Sequence, residues 1–171
     1  MENIPVGSIS SASYEWSVTD KDSNGNYFPG KYDIAADLWF APPSLADAPV
    51  PAPGDTEVMI WMDEQNVNPT GTNIGTITKG GINYQVYCLN NNGGVTISFE
   101  STQPDQITNV NIVDFIRYLE NSTNFDNTNC NNGNPPLASS WYLRQIPVGF
   151  EIWNGGVGLE VDSFSESVTS K

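Results

Sequence analysis

Apolar and polar positions alternate along this chain in short runs, and clusters of turn residues separate the runs. A period of two is the pattern of half-buried β-strands. Tyr14 to Thr19 alternates in this way, and Asp22-Ser23-Asn24-Gly25-Asn26 after it reads as a turn. Tyr32 to Phe40 is a long strand, and Thr56 to Asp63 is the next. The intervening segment, Ala41 to Asp55, holds Pro42, Pro43, Pro49, Pro51 and Pro53. Proline cannot donate to a sheet ladder, so this segment is expected to run over the surface. Val67 to Gly75 reads as a loop. Thr76-Ile77-Thr78 and Ile82 to Leu89, joined by Lys79-Gly80-Gly81, read as a hairpin. Asn90 to Gly94 is a turn before a strand from Val95 to Glu100. Trp141 to Ile146, Val148 to Trp153 and Gly158 to Thr169 complete the strands.

One segment has a different period. Ile112, Phe115, Ile116 and Leu119 follow the spacing of one helical face, with Thr108 or Asn109 available as a cap. Asn121 to Pro136 follows as an Asn-rich loop. Many short strands and one helix predict an all-β fold, a two-sheet sandwich of jelly-roll type with the helix on its back. Residues 1–171 form a single domain in this reading, without repeat or linker.

Two strands carry the candidate chemistry. In Glu57-Val58-Met59-Ile60-Trp61, alternation puts Glu57, Met59 and Trp61 on one face and Val58, Ile60 and Met62 on the other. In Glu151-Ile152-Trp153, Glu151 and Trp153 share a face, with Phe150 and Ile152 behind. Each strand thus offers an apolar row on one side and a carboxylate beside a tryptophan on the other. Two carboxyl groups among flat rings suit glycoside hydrolysis, which needs an acid, a nucleophile or base, and surfaces for sugar rings. The plainer alternative is a pair of solvated charges on outer strand faces. Alternation groups Trp39 with Asp37, in a cleft or in the core. Asp33 reads as an exposed strand residue. Glu100, Glu120 and Glu160 read as surface charges, and Tyr84 and Tyr87 as sheet packing.

Composition narrows the chemistry. Histidine is absent, which removes Ser-His-Asp and Cys-His catalysis and any histidine metal site. No residues have metal-ligand spacing, and no cofactor is expected. Acids number 20 against 6 bases, a net charge of −14. That field disfavours nucleic acid and anionic membranes as partners, and a neutral polymer is compatible with it. It also suits work at low pH. Cys88 and Cys130 could pair or remain thiols. No apolar run has transmembrane length, and no signal peptide is visible after Met1. Asn121-Ser122-Thr123 fits a glycosylation acceptor pattern.

These blocks carry a resemblance. Thr56-Glu57-Val58-Met59-Ile60-Trp61-Met62 resembles the nucleophile strand of glycoside hydrolase family 12, the small endoglucanases. The segment from Val148 through Glu151, Trp153 and Asn154-Gly155-Gly156 to Leu159 resembles its acid/base strand, and Tyr32 to Phe40 the strand before the nucleophile. The order of these blocks, with the helix between, matches from about residue 8 onward. The resemblance implies a jelly roll with a concave cleft and a retaining, endo-acting mechanism on internal β-1,4 bonds of cellulose or mixed-linkage glucan. A xyloglucan-specific endoglucanase and a non-catalytic glucan-binding module are the alternatives. It further implies Glu57 as nucleophile, Glu151 as general acid/base, and Asp37 beside Glu57 sharing a hydrogen bond with it. Met59, Trp61 and Trp153 would line sugar subsites, with Trp39 a further candidate, and Pro69 would sit in a loop crossing the cleft. Burial and the negative charge of Glu57 would keep Glu151 protonated. A secreted monomer acting on β-glucan is expected. Members of the family usually carry tens of residues ahead of the position of residue 8, where only Met1 to Gly7 stand here. A sheet edge is therefore expected to be open, and the cleft shortened.

Overall fold

The computed structural model describes residues 3–91, 93–104, 109–121, 130 and 135–171. The strands are β1 (Ile4–Pro5), β2 (Ile9–Thr19), β3 (Gly30–Ala41), β4 (Thr56–Gln65), β5 (Thr72–Lys79), β6 (Ile82–Asn91), β7 (Gly94–Ser101), β8 (Asn109–Asn111), β9 (Tyr142–Gln145), β10 (Val148–Gly155) and β11 (Glu160–Ser170). The single described helix is α1, Ile112–Glu120. The large sheet runs β1-β9-β3-β4-β7-β6-β5, and β10 lies beside β9 along the same edge of β3. The smaller sheet is β11-β2-β8. β4 and β7 are parallel, because the β5–β6 hairpin carries the chain around between them. This is the expected jelly-roll sandwich with its helix.

The core shows why alternation was informative. Tyr32, Ile34, Ala36, Leu38 and Phe40 of β3 point inward, with Val58, Ile60 and Met62 of β4 and Val95, Ile97 and Phe99 of β7. They meet Ile9, Ala12, Tyr14 and Trp16 of the smaller sheet. The α1 stripe of Ile112, Phe115, Ile116 and Leu119 closes the same core. Phe115 packs edge-on against Tyr84 at 5.2 Å and Phe99 at 4.9 Å, so the helix lies behind β6 and β7 as expected.

Several local expectations are corrected. The helix cap is Asn111, whose side chain accepts from the Val113 amide at 3.2 Å. Asn109 instead pairs with Glu15, because residues 109–111 are held as β8 against β2. Thr108 and most of the Asn121–Pro136 loop, with Ser122 and Thr123, lie outside the described residues. The loop expected up to Gly75 is already strand from Thr72. Cys88 and Cys130 form a disulfide. It ties the 130 region to the core side of β6.

Two edges are open. β10 pairs with β3 alone and β11 with β2 alone among the described residues. Ile152 is 50% exposed, Trp153 49% and Phe164 43%, so apolar surface lines this side. No helix among the described residues is long and apolar enough to cross a membrane.

The disulfide closes 42 residues. Replacing Cys130 by Ser is expected to lower stability by about 3–4 kcal/mol on the chain-entropy model. Denaturant unfolding of both forms, with and without reductant, checks this; a reductant-insensitive wild type would contradict it.

Candidate active site

The outer face of the large sheet holds the residues that alternate with the core. From β3 these are Asp33, Ala35, Asp37 and Trp39; from β4, Glu57, Met59 and Trp61; from β7, Thr96, Ser98 and Glu100. Register aligns them across strands: Trp39 opposite Glu57, Asp37 opposite Met59, Ala35 opposite Trp61. On the far side of β4, Glu57 faces Thr96 and Met59 faces Ser98. Ala35, Met59 and Trp61 are buried together as a small apolar floor, with Val67 packed on it. The Trp61 indole N–H approaches the Met59 sulfur at 3.5 Å.

Three cavities share this face. The largest, about 490 Å³, is bordered by Glu57, Met59, Trp61, Glu151 and Trp153, with Lys31 and the 66–70 loop. A second, about 210 Å³, adjoins it at Glu57 and Thr96 and takes in Trp39 and the proline loop. A third, about 200 Å³, adjoins at Glu151 and is bordered by Asp33, Asp37 and residues 147–150. Glu57 and Glu151 therefore border one groove together. Trp39 belongs to this face and not to the core. Pro69 is buried within its loop, and its neighbours Asn68 and Thr70 border the groove. Trp153 stands at the open edge with the Lys31 amine 5.9 Å from its ring centroid.

The walls are fixed from below. Gly71, with φ of 100°, lets the 66–71 loop lie against the Cys88 main chain, where a Cβ would collide. Asp55 accepts from the Ala52 amide at 2.7 Å and lies 3.7 Å from the buried Arg144 guanidinium, which also donates to the Ala48 carbonyl. This buried pair holds the proline loop against the sheet beside Trp39.

Electrostatics separate the carboxyl groups. Burial raises Glu57; a hydrogen bond from Thr96 at 2.9 Å pulls it back, and the charge of Glu151 raises it again. Asp37 is pushed up to about 7, by burial first and then by Glu57 and Glu151. One Asp37 oxygen is buried without a partner, and Glu57 accepts a hydrogen bond from Thr96. Glu151 is exposed, so the burial expected of it is not found.

Asp33 overturns its expectation entirely. It is 0% exposed, and it is pushed up to about 8 by burial, then by Glu151 and Asp37. Alternation does not give depth; β4 and β10 cover Asp33 from both sides. Glu64, opposite Asp33, rises to about 7 through burial and the charges of Glu100 and Asp63. Glu100 is half-buried on the groove face, not a free surface charge. Thr96 carried no signal in its own segment; only the parallel register of β4 and β7 brings it to Glu57. Tyr84 is core, as expected.

The profile of glycosyl hydrolase family 12 matches residues 2–169. The chain belongs to that family. Within family 12 it is similar to the probable cellulase Cel12b of Mycobacterium tuberculosis, 33% identical over 113 residues, covering 66% of this chain and 67% of that protein. It is 26% identical over 171 residues to the xyloglucan-specific endo-β-1,4-glucanase A of Emericella nidulans, covering 96% of this chain and 61% of the relative. Endoglucanase Cel12A from Rhodothermus marinus superposes with a TM-score of 0.78 at 25% identity, covering 99% of this chain and 66% of that one. This family 12 chain thus spans about two thirds of the length of such relatives, and less of some.

The raised carboxyl groups link stability to pH. A carboxyl group raised in the fold contributes stability that is complete below its unfolded value and is lost as pH rises through its folded one. Asp33, Asp37 and Glu64 are raised to about 8, 7 and 7, so the loss runs from about pH 4 to pH 8. Thermal unfolding should show Tm falling over that window, by an amount on the order of a few kcal/mol in stability. Asp37→Asn should flatten the slope; a Tm that rises towards pH 8 would contradict the assignment.

Proposed function

We propose that this chain is a retaining glycoside hydrolase that cuts internal β-1,4 bonds of β-glucan chains by double displacement. One observation carries the reading: Glu57 and Glu151 border the same groove, on different strands, with Met59, Trp61 and Trp153 around them. In the first step Glu57 attacks the anomeric carbon while Glu151 gives its proton to the departing glycosidic oxygen. In the second step Glu151 takes a proton from water, and that water displaces Glu57. Retaining enzymes hold the two carboxyl groups about 5–5.5 Å apart.

The surroundings support this division of labour. The Thr96 hydrogen bond favours the ionised form of Glu57, the form that attacks. Asp37, raised to about 7, keeps its proton at acid pH and so spares Glu57 a second negative neighbour. Tryptophan faces and the Met59 thioether give flat, soft contacts to glucose rings. Three cavities in a row suit an extended chain bound in mid-length, hence endo action on cellulose or mixed-linkage glucan. The open β10 edge leaves room beside the groove for branched sugars, and one relative is a named xyloglucanase, so xyloglucan is the second substrate to test. We infer a secreted monomer whose partner is the polysaccharide; the net charge of −14 suits an acidic medium and a neutral polymer.

Release of reducing ends from soluble β-glucan, carboxymethylcellulose and xyloglucan, between about pH 2 and pH 7, tests the reading. Activity should lie on the acid side, and Glu57→Gln should reduce kcat on the order of a thousandfold or more while leaving the fold intact. Glucan binding without hydrolysis in the wild type would make the chain a binding module instead. Full activity in Glu57→Gln would remove Glu57 from the mechanism.

A further inference from the structure

Glu57 is crowded by other carboxyl groups. Asp37 neighbours it from β3, Glu151 acts on it from β10, and Asp55 borders the second cavity with it. Lys31 borders the largest cavity, with its amine over the Trp153 ring. Against these acids stands a single hydroxyl: Thr96 donates its hydrogen bond to Oε2 of Glu57 at 2.9 Å. Thr96 is firmly held. It is 6% exposed, it lies directly opposite Glu57 in the parallel β4–β7 register, and β7 has β4 on one side and β6 on the other. A β-branched side chain is stiff at χ1, whereas the end of a glutamate side chain turns in a broad well. The donor is therefore fixed and the carboxyl group adjusts to it. Oε2 stays on Thr96, which leaves Oε1 to meet a sugar.

This hydrogen bond acts differently on the two halves of a double displacement. A donor binds a charged carboxylate more strongly than it binds a neutral ester oxygen. In the first step the charge of Glu57 disappears into its new bond to the sugar, so the Thr96 bond weakens towards the transition state. In the second step the charge returns, and the Thr96 bond strengthens. Only an interaction that is stronger in the transition state than before it accelerates a step. The donor thus helps the second step and not the first.

We propose that Thr96 is a positioning residue for the second step: its hydroxyl stabilises the Glu57 carboxylate as that group leaves the sugar, and so sets how long the glycosyl-enzyme lasts. This rests on the reading of Glu57 as the nucleophile. The step balances without any further reactant. An O–H bond of water breaks and its proton goes to Glu151, while the water oxygen bonds to C1. The bond from C1 to Oε1 of Glu57 breaks, and its electron pair returns to the carboxylate. Part of that charge settles on Oε2, where the donor is already in place. Thr96 keeps its own proton throughout. Burial raises Glu57 and by itself makes its carboxylate a poorer leaving group; the Thr96 bond acts in the opposite direction.

Two readouts test this. Thr96→Val keeps the β-branched shape and removes the donor, and Thr96→Ser keeps the donor. The first readout needs no activity: the Glu57 carboxyl carbon is followed by NMR through pH. Its midpoint should lie about half a unit or more higher in Thr96→Val than in the wild type, and Thr96→Ser should bring it back. An unchanged midpoint overturns the proposal. The second readout uses an aryl cello-oligosaccharide with a good leaving group, at a pH where Glu57 is ionised in both forms. Such a group departs with little help from an acid, so the second step limits turnover. In Thr96→Val kcat should fall about tenfold and KM by a similar factor, while kcat/KM stays within about threefold of the wild type, because the glycosyl-enzyme accumulates. Thr96→Ser should return kcat and KM towards the wild type. A fall in kcat/KM as large as that in kcat, with KM unchanged, means a structural role and overturns the proposal. A shifted midpoint in a wild type that releases no aryl group sinks the glycosidase reading, and the second-step role with it. Release of the aryl group with an unchanged midpoint leaves the glycosidase reading standing and removes Thr96 alone.

Discussion

Carboxyl groups cannot all ionise when a sheet holds them side by side and away from water, and the groove of this chain is organised by that limit. Asp33, Asp37, Glu57 and Glu64 lie on one face of two adjacent strands, and burial is the largest influence on each of them. Water would screen their mutual repulsion; the sheet does not. Some must therefore stay protonated, and the environment chooses which. Glu57 receives the Thr96 hydrogen bond and is the one favoured as an anion. Asp37 and Asp33 have oxygens with no hydrogen-bond partner and are the ones favoured as acids. The division between ionised and protonated carboxyl groups follows from which oxygen has a donor beside it.

The fold supplies this arrangement through strand alternation. β3 and β4 send large apolar residues inward at every second position, and that packing locks the outward faces in register. Loops then shape the walls. The buried Asp55–Arg144 pair fixes the proline loop on one side, and the Cys88–Cys130 disulfide ties β6 beneath the other. The β10 edge is different: it has a strand on one side only, and Glu151, Ile152 and Trp153 reach solvent. Glu151 is therefore open to solvent where Glu57 is partly covered by the sheet.

Sequence alone revealed faces better than depths. The alternation of Glu57, Met59 and Trp61 against Val58, Ile60 and Met62 was legible because it depends only on neighbours in the chain. Asp33 obeyed the same alternation, yet its burial depends on β10, more than a hundred residues away in sequence. Thr96 was invisible for a similar reason, since only the parallel β4–β7 register brings it to Glu57. β8 is three residues long, too short for a periodic signal, and by pairing with β2 it moved the helix cap to Asn111. The break in register after Ile152 lies in β10, whose alternation shows no sign of it. Family membership was legible because its blocks are contiguous strands, whereas the pairing of the two cysteines needed the fold.

The central claim is that Glu57 forms a covalent bond to the sugar and Glu151 serves both steps. The most direct measurement is proton NMR of the first product released from a soluble β-glucan, before mutarotation mixes the anomers. Double displacement predicts that the β-anomer appears first and the α-anomer grows in later. An α-anomer at the earliest time would mean single displacement by water, and Glu57 would then be a base and not a nucleophile.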